Sequence, residues 1–472
     1  MNTKILHPRN FLIFFMALLP LQLTLRLICH LPNFLMLIYI FLIFAIIYYF
    51  LLPIKKISKL QLTISVILLI FFFITIISVL FNYNAIIDKV IPFQYYVKKY
   101  SSFWDSAIMS SLFAGVIRPF IYFLFCFCSF FILQKEKHLY TLSKYLIIIG
   151  FISSVYSIYQ FIAFYTGLPF DSLFSGHNGE IITQFGIRRC EGILYEPGPQ
   201  ATFLSVIFCL LLFQFNTKSK QGYFFKSKFF EILTLILVSI TLFLTLSPIG
   251  ILTPFIAGSI YIFINWKRFT IKFKRSILLI FILLILITMN LGNIGENKIS
   301  LFNYLIIRIS NLKGNNNIYY GDNRSVRNEF GIKIIKKHFL FGVGAGNDAF
   351  YYAKYAPYAI GNLSDKGVVI NNNLKILSDS GIFAFLCYIA LLLYPLIYFY
   401  KNKLYNNIYN LPLYNLTISL FTSELLFVVL TFNSQVEFFQ PLFWINYSML
   451  IISINVLNKE KKIIKLKETK YC

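Results

Sequence analysis

The sequence predicts an all-α protein that crosses a membrane many times. Of its 472 residues, 58% are hydrophobic and only 13% are charged, whereas about a quarter of the residues of a soluble domain are charged. Apolar runs of roughly 20 residues recur along the chain, and each is long enough to cross about 30 Å of hydrocarbon as a helix. Helices satisfy their own backbone hydrogen bonds in lipid, and the sequence lacks the short alternating segments of a membrane β-barrel.

The apolar runs predict about twelve membrane-spanning helices in a single membrane domain, 1–472. The first run is too long for the apolar region of a signal peptide, and no small-residue cleavage site follows it, so we expect it to remain as the first span. The predicted spans are 11–31, 34–52, 60–81, 112–133, 145–165, 200–215, 229–245, 249–264, 276–292, 380–400, 411–432 and 439–456.

The basic residues lie on one side of this predicted topology. The formal net charge is +25, and the seven short segments of one alternating set hold 25 of the 43 Lys and Arg residues. Two very short turns of the opposite set, 246–248 and 433–438, hold none. The positive-inside rule therefore places both termini in the cytoplasm. Anionic lipid headgroups account for the basic balance, so membrane lipid is an expected partner and nucleic acid is not.

Three segments on the opposite, outer side are long, namely 82–111, 166–199 and 293–379. Long loops in compact proteins tend to carry function, so we expect the chemistry of the protein in these segments. A solvated cap without chemistry is the alternative for the longest of them. The seven cysteines include no CxxC pair, so the sequence predicts neither a disulfide framework nor a metal site.

The first informative stretch, RRCEGILYEPGPQ, covers residues 188–200 just before the sixth span. Arg188 and Arg189 offer adjacent planar guanidiniums, which suit a diphosphate. Glu196 is held before a proline and is a candidate to accept a proton from a sugar hydroxyl. Gln200 is predicted to begin a helix whose N-terminal amides favour an anion. The alternative is that one of the two arginines pairs with a neighbouring glutamate only to order the loop.

The longest outer segment holds a second basic stretch, NRSVRNEFGIKIIKKHFLFGVGAG, at residues 323–346. Arg324 and Arg327 are three residues apart and share a helix face. An apolar stripe that includes Phe330 and Ile334 suits packing on the membrane or on neighbouring spans, so a purely interfacial amphipathic helix is the alternative. The glycine-rich end lacks the Gly-Lys pair of a nucleotide-binding loop.

A third stretch, NNNLKILSDSGI, covers residues 371–382 and by itself is an ordinary polar approach to a helix. Two charged residues lie inside predicted spans, Arg118 in the fourth and Glu424 in the eleventh. Charges inside a membrane are costly and usually face a cavity or one another. Arg118 therefore either reaches a lipid diphosphate or forms a structural pair with Glu424.

The three stretches, in this order, resemble the O-antigen polymerase and O-antigen ligase superfamily of bacterial membranes. Its members share an arginine, glycine, acid and proline before a mid-chain span, then an arginine-bearing helix that leads into a glycine pair, then a polar segment that ends in glycine. The resemblance covers about residues 180–400 by motif. It implies a GT-C-like fold in the cell inner membrane, with the large outer loop in the periplasm.

The resemblance implies glycan transfer from an undecaprenyl-diphosphate-linked donor, without a catalytic metal or other cofactor. Polymerases extend the chain of repeat units, whereas ligases move the chain to lipid A core, and a separate protein that sets chain length is a further implied partner. The resemblance implies Glu196, Arg188 and Arg189 for catalysis, with Arg324 and Arg327 for substrate binding. Arg118 and Asn372 are two further candidates for substrate binding.

The chain departs from the superfamily pattern at two places. Ligases generally have a histidine near the start of the third stretch, where this chain has three asparagines, 371–373. Ser247 and Pro248 stand where relatives often have serine and arginine. We therefore predict a polymerase of lipid-linked repeat units, with a ligase or a polysaccharide flippase as the alternatives. A flippase needs charged residues along an internal cavity, and this chain concentrates its polar residues outside the spans.

Overall fold

The computed structural model describes residues 8–21, 36–50, 57–82, 117–169, 183–184, 187–194, 196–214, 224–265, 323–348, 351, 369, 371–404, 411–431 and 441–471. This part of the chain is helical apart from one antiparallel pair of two-residue strands, β1 (Thr183–Gln184) and β2 (Ile187–Arg188). Its α-helices are α1 (Pro8–Leu18), α2 (Met36–Phe50), α3 (Lys59–Phe81), α4 (Arg118–Ile132), α5 (Glu136–Thr166), α6 (Pro197–Gln214), α7 (Lys228–Leu244), α8 (Pro248–Asn265), α9 (Asn323–Lys337), α10 (Asn372–Lys401), α11 (Leu411–Leu426) and α12 (Pro441–Tyr471).

The prediction of an all-α polytopic membrane protein is confirmed. In the described residues, six helices are long and apolar enough to cross a membrane, and further apolar helices are shorter. Every predicted span except 276–292 overlaps a helix of the described residues, and 276–292 lies outside the described residues. Residues 83–111 of the outer segment 82–111 also lie outside the described residues. The number of twelve spans therefore stays a prediction.

Local sequence signals explain where several helices begin and end. Ser58 and Gln61 form a capping box at the start of α3, in which each side chain accepts from the other residue's backbone amide. Asn371 caps α10 by accepting from the amides of Asn373 and Leu374. At the other end of α5, Gly167 takes the left-handed conformation, with φ of 72°, and stops the helix.

Several helix boundaries differ from the prediction, and α5, for example, begins at Glu136 rather than at residue 145. α6 begins at Pro197 rather than at Gln200, because proline tolerates the first turn of a helix, where no amide donor is needed. α10 begins at Asn372 and kinks at Gly381. The predicted start of the tenth span therefore lies at the kink and not at the first residue of the helix. α12 continues to Tyr471, far beyond its apolar part.

The chain divides into two compact units. The first comprises Met1–Phe41, Lys135–Asn316 and Ile408–Leu426. Its centre is α6, which packs against α5, α7, α8 and α11. Most of α6 is buried inside the protein, as expected of a helix that is apolar on every side.

The second unit comprises Leu42–Gln134, Asn317–Asn407 and Phe427–Cys472. In this unit α10 packs against α3, α9 and α12, and α12 also packs against α4. α9 is the predicted helix of the longest outer segment, and it turns Phe330 and Ile334, which are 1% and 0% exposed, into the protein. Lys461 of α12 donates to the carbonyls of Asn402 and Lys403 just after α10 ends.

Candidate functional site

The arginine-bearing loop, residues 188–200, is fixed to the helices of the first unit through its backbone. The amide of Cys190 donates to the carbonyl of Leu244 at the end of α7, at 3.0 Å. The amide of Gly192 donates to Oε1 of Gln160 at 2.9 Å, and that of Ile193 donates to Oγ of Ser153 at 3.2 Å. Both of these side chains belong to α5. The loop is therefore part of the folded core of this unit.

Gly192 is the tightest point of the arginine-bearing loop. Its φ is +58°, and an added Cβ atom would lie 2.4 Å from Nε2 of Gln200 and 2.6 Å from Oγ of Ser153. The Gln200 side chain is itself held, because its Oε1 accepts from Ser153 and its Nε2 donates to Ser157. Only glycine meets both the conformation and the space.

Gly192→Ala is expected to destabilise the protein by about 2 kcal/mol or more, because alanine suffers both the left-handed conformation and the steric overlap. The matched control is Gly167→Ala, since Gly167 also has a positive φ but nothing within 4 Å of the added Cβ. Thermal unfolding of the purified protein in detergent measures both variants. Equal unfolding midpoints would contradict the tight packing around Gly192.

Arg188 lies entirely inside the first unit. Its Nη2 atom is 3.9 Å from Oε1 of Glu191, and both side chains are 0% exposed. This contact supports, for Arg188, the alternative that an arginine pairs with a neighbouring glutamate and orders the loop. Removing one partner of a buried ion pair leaves the other charge uncompensated, so the two residues hold the loop together.

Arg189 and Glu196 keep part of their surfaces exposed. Nε of Arg189 donates to the carbonyl of Thr245, at 3.2 Å, in the turn that joins α7 to α8. Glu196 stands at the first turn of α6, where its carbonyl accepts from the amide of Gln200 at 3.1 Å. The structure thus holds the backbone on which both side chains stand, while each side chain retains access to solvent.

The start of α6 is a weaker anion site than the sequence predicts. Pro197 and Pro199 have no amide proton, and the amide of Gln200 bonds to Glu196. In this first turn, the amide of Gly198 is therefore the backbone donor that is available to an anion. An anion at this place depends on side chains more than on the helix end.

Gln160 adds a donor that the sequence analysis missed. Its Oε1 accepts from the amides of Glu191 and Gly192, which fixes the orientation of the side-chain amide. Among the described residues, Nε2 of Gln160 has no hydrogen-bond partner, although the residue is 0% exposed. The available signal was the spacing of Ser153, Ser157 and Gln160, which puts three polar residues on one face of an apolar helix.

The thiol of Cys190 is not a candidate nucleophile. The residue is 0% exposed and forms no disulfide. Burial raises the pKa of the Cys190 thiol to about 12, against a smaller opposing effect of the Arg188 charge. A thiol in such a place stays protonated, and only the thiolate is strongly nucleophilic. The described residues also hold no group of three or more His, Cys, Asp and Glu suited to a metal ion.

The other predicted site residues, Arg118, Arg324, Arg327 and Asn372, belong to the second unit. Arg327 is partly buried in α9, and Asn372 is fully buried in α10, where its Nδ2 lies 3.4 Å from the hydroxyl of Tyr388. The side chains of Arg118 and Arg324 lie outside the described part of the structure. Glu424 is buried in α11, and the pair that the sequence suggests between it and Arg118 stays a prediction.

The second unit contains an ionic cluster that the sequence analysis did not single out. Nζ of Lys375 lies 2.9 Å from Oδ1 of Asp348 and 3.1 Å from Oδ2 of Asp379. Lys375 and Asp379 are four residues apart, which is a recognisable helical ion-pair spacing. No local sequence pattern pointed to the pairing of Asp348 with Lys375, because the two residues are 27 positions apart.

Residues 233–389 match the family model described as O-antigen ligase. The matched part runs from α7 through the kink of α10, so it includes the ionic cluster, while the arginine-bearing loop lies before it. The second and third sequence stretches, 323–346 and 371–382, lie inside the matched residues.

This match supports the O-antigen polymerase and ligase superfamily.

The match supports a general role in the biosynthesis of surface polysaccharides. The members of this superfamily are enzymes that transfer glycosyl groups. No curated protein is significantly similar to the chain. Within the superfamily, the family match by itself does not separate a polymerase from a ligase.

Proposed function

We propose that the chain is a polymerase that joins undecaprenyl-diphosphate-linked oligosaccharide repeat units into O-antigen or a related surface polysaccharide. The proposed place of the reaction is the periplasmic face of the inner membrane, where the arginine-bearing loop would meet the lipid-linked donor. The single observation that carries the proposal is the way this loop is built, with Arg189 and Glu196 partly exposed on an immobilised backbone.

Arg189 is the residue proposed to hold the leaving diphosphate. Its guanidinium is tethered at Nε to the Thr245 carbonyl, and arginine stays charged and presents a planar fork of donors that matches phosphate oxygens. Arg188 is proposed to act indirectly, because it is buried against Glu191. Its proposed role is to shape the loop that carries Arg189. A fixed positive charge needs no reorganisation as the leaving group develops negative charge.

Glu196 is the residue proposed to accept the proton. In the transfer step, the bond between the anomeric carbon and the diphosphate oxygen breaks, and its electron pair leaves on the diphosphate. The oxygen of an acceptor sugar hydroxyl forms the new bond to the anomeric carbon, and its proton passes to the Glu196 carboxylate. Glu196 lies seven residues after Arg189 in the same anchored loop, so one rigid segment carries both charges.

Two features support a polymerase over a ligase. The superfamily's ligases generally carry a histidine near the start of the third stretch, and here that place is taken by asparagines. Asn371 caps α10, and Oδ1 of Asn373 accepts from the hydroxyl of Tyr388 at 3.0 Å. His338 lies elsewhere, with its ring against that of Tyr351. The asparagines thus have structural partners and do not supply the missing imidazole.

Deletion of the gene tests the proposal against both alternatives. We expect lipopolysaccharide, or an equivalent glycan, to carry one repeat unit on an intact core, because ligation and export continue without chain extension. Gel separation of the extracted glycan measures this directly, and re-expression of the native chain should restore the ladder. Complete loss of repeat units would instead favour a ligase or a flippase.

A further inference from the structure

We propose that Lys375 is a positioning residue that fixes the glycine turn, residues 342–346, against α10, and that it does not itself bind the substrate diphosphate. The inference rests on the proposed function for its consequence in catalysis, but the contact it describes is independent of that function. A lysine in an outer segment of an enzyme with a diphosphate substrate would ordinarily be assigned to phosphate binding. The surroundings of Lys375 argue otherwise.

The ammonium group of Lys375 forms ion pairs with two carboxylates. Its Nζ atom is 2.9 Å from Oδ1 of Asp348 and 3.1 Å from Oδ2 of Asp379. The side chains are 12%, 1% and 8% exposed, respectively, so all three charges are largely removed from water. With all three groups ionised, the cluster carries one positive and two negative charges. A diphosphate brought to it would meet a net negative charge, which disfavours binding.

Each carboxylate also holds a piece of backbone. Oδ2 of Asp379 accepts from the amide of Gly346 at 3.1 Å, which attaches the end of the glycine turn to α10. Oδ2 of Asp348 accepts from the amide of Val369 at 2.8 Å, which brings together two residues 21 positions apart in the chain. Lys375 therefore links the glycine turn, the first part of α10 and the chain that enters it.

The glycine turn is pressed against the kink of α10, so its place depends on close contacts. An added Cβ on Gly342 would lie 2.4 Å from the carbonyl carbon of Asp379. The amide of Val343 donates to the carbonyl of Ser378 at 2.9 Å. Nδ2 of Asn82, at the end of α3, donates to the carbonyl of Gly342 at 3.2 Å. A repulsion that moved Asp379 would therefore displace the whole turn.

Without the lysine, Asp348 and Asp379 would face each other with no compensating charge. Two buried like charges repel, and either carboxylate would have to be protonated or to move. This reasoning separates the two roles of Lys375. If it positions the turn, removing one carboxylate should compensate for removing the lysine, because the cluster returns to its native net charge.

The test compares Lys375→Gln, Asp379→Asn and the double variant with the native protein. Chain extension from a purified lipid-linked repeat unit gives the KM for the donor and the turnover, and thermal unfolding in detergent gives stability. We expect Lys375→Gln to lower turnover about tenfold or more and the unfolding midpoint by about 5 °C or more. The double variant should recover to within about threefold of native turnover and most of the midpoint, since the net charge is restored.

The matched control is Lys333→Gln. Lys333 pairs with Glu329 at 3.0 Å with the same four-residue spacing, but the two side chains are 37% and 57% exposed. An exposed pair contributes little to stability, so this variant should behave as the native protein does.

The outcomes separate the inference from the proposed function. If the double variant stays as impaired as Lys375→Gln, with a raised KM for the donor, the lysine binds substrate and the inference is wrong. An unchanged unfolding midpoint in Lys375→Gln would also overturn it. If the native protein fails to extend chains while the two substitutions still compensate in unfolding, the proposed function fails and the positioning contact stands.

Discussion

Arg189→Ala is expected to lower chain extension by about 100-fold or more while the protein still inserts into the membrane. The reason is electrostatic, because loss of one fixed donor to a developing negative charge typically costs two to three orders of magnitude in rate. The substitution removes a side chain that is partly exposed and bonded to one backbone carbonyl, so the fold should be retained. The glycan ladder and the amount of protein in the membrane fraction are the two measurements.

Three further variants sharpen this result. Arg189→Lys keeps a point charge but loses the planar fork, so we expect partial activity between native and alanine. Lys337→Ala removes an exposed cation of α9 that has no part in the proposed site, and should leave the ladder unchanged. Arg189→Cys reports location, because a membrane-impermeant thiol reagent should label it from the periplasm. Labelling from the cytoplasm alone would put the loop on the wrong side for the lipid-linked donor.

Gly381→Ala is expected to prevent correct packing of the second unit, with a loss of about 3 kcal/mol or more. Gly381 has φ of 75° and ψ of −172°, a region that is essentially restricted to glycine. An added Cβ would lie 2.1 Å from the carbonyl oxygen of Leu340. Because the overlap is with backbone, no side-chain rotation can relieve it. The fraction of monodisperse protein after detergent extraction, and its unfolding midpoint, measure the effect.

Two glycines serve as controls for the Gly381 substitution. Gly258 is inside α8, and its added Cβ meets nothing within 4 Å, so alanine there should be tolerated or slightly stabilising. Gly167→Ala suffers a positive φ without an overlap and should cost an intermediate amount. If Gly381→Ala unfolded no earlier than Gly167→Ala, the close approach of the turn to the kink would be refuted.

The fold class was predictable because it depends on apolar runs that are visible in the sequence. α3 lies over 59–81 where the sequence predicts 60–81, and the turn between α7 and α8 lies at 245–247 where the sequence predicts 246–248. The ends of the polar helices were less predictable. The kink of α10 depends on the close approach of Gly381 to Leu340, which lies far away in sequence. α12 reaches Tyr471 although its last part is polar.

The candidate site was predictable only where its residues are neighbours in sequence. Arg188, Arg189 and Glu196 were found because they share one short stretch. The burial of Arg188 could not be predicted, because it depends on how the loop packs against α5 and α7. Asp348 meets Lys375 across 27 residues, and no local pattern marks such a contact. Tertiary packing therefore decides which of the charged residues remain accessible.

The bend of α10 has a consequence at the boundary between water and hydrocarbon. A break in a helix releases amides and carbonyls, and in lipid each such group without a partner costs several kcal/mol. Here the carbonyl of Ser378 accepts from Val343, that of Asp379 accepts from the Ser78 hydroxyl, and the amide of Ile382 donates to Phe339. The released groups are thus bonded without solvent. The glycine turn can therefore stand at the edge of the acyl chains without drawing water into them.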